Sequence, residues 1–359
     1  MRTGIDTLGD TATWQQLFDL IPGNNSCPYL APGYHQAYQR VEEQSAHCFW
    51  AYKDENNFLF YPFLLKNINS LGYELDSEYF DVSGAYGYNG PAGVVRDKGF
   101  LQGYNKELLA YLLHNKVVTE FVRYCPVTGN RGLHTYTDQT DVLDNVFVDL
   151  SPGLETVWSE SFSYGVRKAV KKAVQYGLRT VVKAGLQVIK SDIRIFLSIY
   201  NGTMKRNEAD KFYFFNPDFV GELFQLMGES AVLAITWMND TPISSEIVLR
   251  SGDNAFGFLG GTLSEYYRYK ANTFQRWELI KFLAGAGLKR YSMGGGAARG
   301  DSIYDFKMSF AKGCVNPFFI GTKIHLPAIY EDILSQWRSR HPLAAEIYSS
   351  RIQGYRILS

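Results

Sequence analysis

NAFGFLGGTLSEYYRYKANTFQRWELIKFLAGAGLKRYSMGGGAARGDSIYDFKMSF, residues 254 to 310, reads as strand, loop, helix, strand, glycine loop and a closing lysine segment. Ala255 to Gly261 is a short aromatic and glycine strand, and Glu265 to Lys270 is a polar loop carrying Arg268 and Lys270. Asn272 or Thr273 is expected to cap the following helix, since a short polar side chain can accept a hydrogen bond from a free backbone N–H of the first turn. Phe274, Trp277, Leu279, Ile280 and Leu283 recur at helical spacing, Gly285 to Gly287 ends the helix, and Lys289 to Met293 makes the second strand. Such a helix start turns free N–H groups and a positive dipole end toward the loop mouth, beside two basic side chains. That makes Arg268, Lys270, Asn272 and Thr273 candidates for holding donor phosphates. Neither GxGxxG nor GxxxxGK[ST] accompanies them, so a dinucleotide fold and a P-loop are not indicated.

Outward from this stretch, the same theme occurs about twice. In the first half, helices near 11 to 20 and 33 to 44 precede HCFWAYKDENNFLFYPFLL, two alternating strands joined at Asp54 to Asn57. In the second half, helices near 191 to 205 and 217 to 228 precede three strands turned at Asn239 to Pro242 and Ser251 to Asn254. The expected boundary is Ser151-Pro-Gly153, after a strand from Asn145 to Leu150. With 359 residues the chain suits two domains rather than one core. Beyond Pro317 a further strand leads to helices from about 327 to 351, with Ile329, Ile333, Leu334 and Trp337 on one apolar stripe.

Composition narrows the function classes. Lys plus Arg and Asp plus Glu both number 36, so no global field steers the protein toward nucleic acid or an anionic membrane. A local exception runs from Arg167 to Arg194, where eight basic residues meet only Asp192; it reads as a solvated helix face or as a site for a phosphate-rich ligand or RNA stem. The four cysteines are scattered, with no CxxC pair and no His at zinc spacing, so neither a structural metal nor a disulfide framework is expected. The start MRTGIDTLGDTATW lacks a signal-peptide pattern and no run of 18 apolar residues occurs, which leads to the expectation of a reduced, cytoplasmic protein.

Four segments together, FVDLSPGLETVWSESFSYGVRKAVKKAVQYGL at 147 to 178, FLSIYNGTMKRN at 196 to 207, the strand-loop-helix at 254 to 287 and MGGGAARGDSIYDFKMSF at 293 to 310, resemble the FemAB-like branch of the GNAT acyltransferase superfamily, related to peptidoglycan-bridge aminoacyltransferases. YGYNGPAGVV at 86 to 95 is similar to the aromatic and Gly-Pro strand end in the first half of such proteins. The resemblance implies an α/β fold with mixed sheets and two tandem GNAT-like units around a cleft. The units would be 1–152, joined by the tail 325–359, and 153–324.

The implied chemistry is acyl transfer to an amine, which needs positioning, carbonyl polarisation and proton management but no nucleophilic side chain; the absence of GxSxG fits. Lys307, among Tyr304, Phe306 and Phe310, is the candidate for stabilising developing charge, and otherwise a snorkelling surface lysine. Glu246, in mid-strand on one face with Ser244 and Val248, is the candidate base, with Glu208 and Asp210 as rivals. Arg206 would face phosphate or carboxylate, while Tyr86, Tyr88 and Asn89 would present rings and an amide to the acceptor.

Three functions follow from the resemblance. The first is N-acyl transfer, with acyl-CoA as donor and no metal, to a small-molecule, sugar-nucleotide, lipid-linked or peptide amine in cell-envelope or polysaccharide assembly. Aminoacyl transfer from tRNA and non-catalytic nucleotide or glycan binding are the others. The loop at 264 to 271 lacks the glycine-rich phosphate signature of acetyl-CoA users.

Overall fold

The hairpin expected at Asp54 to Asn57 forms: β2 (Ser45–Asp54) and β3 (Asn57–Asn67) pair antiparallel, with β1 (Arg2–Thr7) on the outer edge of β2. The computed structural model describes residues 1–42 and 45–358. Helices α1 (Ala12–Asp19) and α2 (Pro32–Tyr38) precede this hairpin; β4 (Phe80–Ser83), β5 (Ala92–Val95), α3 (Lys98–His114), β6 (Val117–Arg123) and β7 (Asp138–Asp149) follow it. The chain continues through α4 (Leu154–Thr156), α5 (Tyr164–Gln175), β8 (Leu178–Ala184), α6 (Lys190–Arg206) and α7 (Pro217–Met227). Next come β9 (Ala231–Met238), β10 (Thr241–Ser251), β11 (Asn254–Thr262), α8 (Ala271–Gly285), β12 (Arg290–Gly294) and α9 (Ser302–Met308). Strand β13 (Val315–Ile324) and helices α10 (Pro327–Arg340) and α11 (Pro342–Tyr348) close the fold.

Among the described residues these strands make one mixed sheet in the order β1-β2-β3-β4-β6-β13-β7-β12-β11-β10-β9-β8, with β5 paired to β3. Read from either end the pattern is the same: antiparallel pairs, then a parallel pair, then an antiparallel neighbour. A parallel pair needs a crossover, and α3 supplies it between β4 and β6 as α8 does between β11 and β12. The central positions are exchanged between halves. Strand β13, late in the sequence, pairs with β6, and β7, early in it, pairs with β12; the two also pair with each other. Periodicity located the strand near 145 to 150 as part of β7, but the exchange itself lies outside what periodicity encodes.

Burial joins the halves further. Tyr29, Tyr34 and Phe60 share one core cluster with Phe196, Phe219 and Phe256, and each such ring contributes roughly 1.5–3 kcal/mol on full burial. The stripe on α10 packs Ile333, Leu334 and Trp337 against Ile68, Tyr73, Tyr79 and Val118.

One local expectation is corrected. Neither Asn272 nor Thr273 caps α8, which begins at Ala271, with Lys270 at the cap position in a left-handed conformation. The 3-10 turn Ser264–Tyr269 delivers the chain there, so Asn272 falls inside the first helical turn, where its side chain can point sideways.

Candidate active site

Strands β11 and β12 run parallel only where Asn254, Ala255 and Phe256 face Arg290, Tyr291 and Ser292; beyond that they part. A register shift in the β10–β11 pairing, between Ile247 and Val248, leaves Phe258 as the extra residue of a bulge, which sharpens the local twist and frees strand edge. The gap opens into a cavity of about 490 Å³ lined by both halves: Tyr86, Tyr88 and Arg123 from the first, and Arg206, Glu246, Asn272, Arg276 and Lys307 from the second. Crevices at the carboxyl ends of parallel strands are where α/β folds bind ligands.

Glu246 sits on β10 and is 5% exposed, so this mid-strand carboxylate is turned away from solvent. Tyr291 Oη donates to its Oε1 at 2.8 Å and Arg276 Nη2 lies 3.5 Å from the same oxygen. Both contacts fall on one oxygen. Burial, followed by the Glu246 charge, pushes the Tyr291 hydroxyl well above its usual range, so it stays a donor. Ser244, the neighbour on that face, donates to Gln275 Oε1 at 2.5 Å, and Gln275 Nε2 donates to Ala234 O, fixing α8 across the sheet.

Lys307 lies in the last turn of α9, half-buried in the cavity wall. Asp301 caps that helix, accepting from the backbone N–H of Tyr304 and reaching back to those of Ala297 and Ala298. The glycine cluster has a steric reason here: a Cβ at Gly296 would stand 2.2 Å from Asp301 Oδ1. Loop and helix thus form one unit that delivers the lysine amine, which donates to Gly295 O at 2.6 Å. Burial lowers this amine from its ordinary 10.5 to about 8, with the Arg276 charge adding to the shift and Glu246 and Asp301 opposing it.

The other candidates divide. Arg206 lines the cavity, its guanidinium 5.3 Å from the Tyr267 ring centroid, and Tyr86 and Tyr88 form part of the aromatic wall. Asn89 is not brought to the cavity surface: its Oδ1 accepts the Arg123 N–H at 2.6 Å, tying the YGYNGP loop to β6. Of the four proposed phosphate holders only Asn272 lines the cavity, accepting from Arg276 Nε at 3.3 Å. Arg268 lies against the Tyr269 ring, Lys270 occupies the cap position, and Thr273 is buried on the helix flank. Glu208 and Asp210 do not line the cavity; Asp210 caps a 3-10 turn through the Phe212 N–H. In the basic run, Arg167 donates to the Trp158 and Ser159 carbonyls and Lys183 pairs with Asp192, while Lys168, Lys171 and Lys172 remain exposed.

Sequence reasoning missed Arg276, Tyr291 and Arg123. The first had a legible signal, an arginine four residues after Asn272 and so on the same helix face. Tyr291 alternates like any core strand residue, and Arg123 ends an ordinary strand. Among the described residues no group of three or more His, Cys, Asp or Glu is placed to hold a metal ion, and no helix is long and apolar enough to cross a membrane.

Comparisons with known proteins bear on the fold. Residues 160–308 match the acetyltransferase (GNAT) domain family. Among curated proteins no sequence matches. Among solved structures, FemX superposes with a TM-score of 0.66 at 11% identity, covering 92% of this chain and 99% of its own. The C-terminal domain of a putative lysylphosphatidylglycerol synthetase from Agrobacterium fabrum gives 0.58 at 11%, covering 90% and 98%. A tandem GNAT protein from the clavulanic acid biosynthesis pathway gives 0.50 at 9%, covering 91% and 99%. Residues 160–308 are thus similar to an acetyltransferase (GNAT) domain, and the chain as a whole has the tandem GNAT-like fold that FemX and the tandem GNAT protein share.

Proposed function

We propose that this protein is an N-acyltransferase that moves an acyl or aminoacyl group onto the amine of an anionic acceptor used in cell-envelope or polysaccharide assembly. The observation that carries the reading is the charge of the cavity: among the described residues Arg123, Arg206, Arg276 and Lys307 line it against one carboxylate, that of Glu246. Such a lining favours a ligand with phosphate or carboxylate groups. The names of the structural neighbours, a lysylphosphatidylglycerol synthetase among them, point the same way.

In this reading the acceptor amine attacks the acyl carbonyl while Glu246, through the oxygen that neither Tyr291 nor Arg276 contacts, takes its proton. Lys307 stabilises the oxyanion as the C–N bond forms, and the bond to the donor's leaving atom then breaks. Arg206 and Arg123 hold the acceptor's anionic group, with Tyr86 and Tyr88 against its body. Acyl-CoA is the proposed donor. The parting of β11 from β12, with Gly257, Gly260 and Gly261 along the wall, gives a narrow acyl arm access, and Asn272 with the first turn of α8 would meet its phosphates. Arg268, Lys270 and Thr273 remain part of that proposal as a flanking shell. The division into units 1–152 and 153–324, with the tail 325–359 on the first, belongs to it too, as does a cytoplasmic site of action.

The test is thermal stabilisation by acetyl-CoA, longer acyl-CoAs, CoA and deacylated tRNA, followed by turnover of the stabilising donor with amines bearing phosphate or carboxylate. A shift and anion-dependent turnover are expected; no shift and no turnover with any donor overturns the reading in favour of a non-catalytic binding protein. The exposed Lys168, Lys171 and Lys172 keep aminoacyl-tRNA as the second donor. Salt-sensitive tRNA retardation without a CoA response would select it.

A further inference from the structure

The amine of Lys307 is aimed by one carbonyl, that of Gly295, 2.6 Å away. Gly295 follows β12, and the β12–β7 register shifts between Ser292 and Gly294, so that the loop lifts off the ladder beside Asn145 of β7. Asn145 is 4% exposed, and its Oδ1 accepts the hydroxyl of Tyr88 at 2.6 Å. Gly294, at φ 74°, shows how close these groups lie. A Cβ built there would stand 3.5 Å from Lys307 Nζ and 3.7 Å from Asn145 Oδ1. At Gly295 the same atom would stand 2.8 Å from Asp144 O and 3.9 Å from Asn145 Nδ2. The amide of Asn145 and the amine of Lys307 therefore flank the same loop, which leaves no room for a side chain at Gly295. Tyr88 reaches this spot from the first half, its ring held edge-on by Tyr29 and Phe318 and tilted against Phe256.

From this juxtaposition we infer that Tyr88 and Asn145 are positioning residues for Lys307. Their hydrogen bond holds the Asn145 amide beside the Gly294–Gly295 loop, which the Gly294–Val146 pairing ties to β7; the loop presents the Gly295 carbonyl, and the carbonyl fixes the amine in the cavity wall. Without that packing the loop can shift and the long lysine side chain regains solvent and rotamer freedom. The first half of the chain then supplies the orientation of a charged group that belongs to the second. This rests on the reading of Lys307 as the acting group, but its test does not use turnover.

Lysine labelling by trinitrobenzenesulfonate, followed peptide by peptide by mass spectrometry across pH, gives a midpoint for Lys307, with the half-buried Lys281, paired to Glu278, as internal reference. Tyr88→Phe removes one oxygen and keeps the ring; Asn145→Ala removes the acceptor and serves where the first variant is unstable. In wild type the Lys307 midpoint is expected near 8. In either variant it is expected to rise by roughly one pH unit toward ordinary lysine, about tenfold less free amine at a given pH below the midpoint, with Lys281 unmoved. A wild-type midpoint near 8 that neither variant moves, or a shift shared equally by Lys281, overturns the positioning role alone. A wild-type midpoint at the ordinary 10.5 overturns the placement of Lys307 and with it both readings.

Discussion

Asp81 in β4 and Glu246 in β10 are both buried carboxylates facing an arginine and a tyrosine, yet they are built differently. Asp81 is fully enclosed and saturated: Oδ1 accepts Tyr355 Oη at 2.5 Å and Thr119 Oγ1 at 2.6 Å, and Oδ2 accepts Arg356 Nε at 2.7 Å. Glu246 borders a cavity and takes both its contacts on one oxygen, the arginine at a long 3.5 Å. The same three residue types thus make a fastening in one place and a group with spare capacity in the other. What separates them is whether both carboxylate oxygens already have a partner. A saturated buried ion pair holds the tail at Tyr355 and Arg356 to the first half; an unsaturated one leaves an acceptor for a substrate proton.

The largest expected effect breaks the fastening. Asp81→Ala strands the Arg356 charge and should lower unfolding free energy by roughly 3–5 kcal/mol, read as a fall in denaturant midpoint at unchanged slope. A loss below about 1 kcal/mol would remove the contrast. On the other side, Lys307→Met should reduce turnover by about 10²–10³-fold, the range for losing one preorganised donor to developing charge, with the fold retained by circular dichroism. The pH dependence sharpens this. If the ammonium form acts, turnover falls as pH rises through about 8. Because the folded amine releases its proton near 8 and the unfolded one near 10.5, wild type should gain stability relative to Lys307→Met between those values, the window in which the unfolded chain binds more protons.

Glu246→Gln keeps a hydrogen-bond acceptor for Tyr291 and removes the base. It should cost about 10²-fold in turnover, the lower range for general-base loss, and less stability than Asp81→Ala; the reverse ranking of the two stabilities would make Glu246 a second fastening. Arg206→Ala comes last, with an acceptor KM raised by about tenfold or more, as expected for one charge-assisted contact, and kcat nearly unchanged. An unaltered KM would place the anionic group elsewhere in the cleft.

Much of this arrangement is legible in the residues. The strand, helix and second strand at 254–294 follow from glycine, aromatic and heptad-like spacing, and Lys307 stands out because an aromatic segment surrounds it. The position of Asn89 did not follow, since an asparagine in a glycine-rich loop offers its amide equally to ligand or backbone, and here the Arg123 N–H takes it. The start of α8 was misplaced for a similar reason: Asn272 and Thr273 have cap chemistry, but the preceding 3-10 turn ends the loop earlier. Tyr291 and the Tyr88–Asn145 link depend on segments brought together by the sheet, and no local spacing announces them.

The exchanged strands carry a consequence for synthesis. Strand β6 is complete at Arg123, but its neighbour β13 ends at Ile324. Roughly 200 residues of further translation, on the order of 10–40 s at about 5–20 residues per second, separate the two. During that interval β6 presents an uncovered edge, the kind of surface that recruits other chains. The newborn first half therefore carries an unpaired edge that closes only once the last strand slots between β6 and β7.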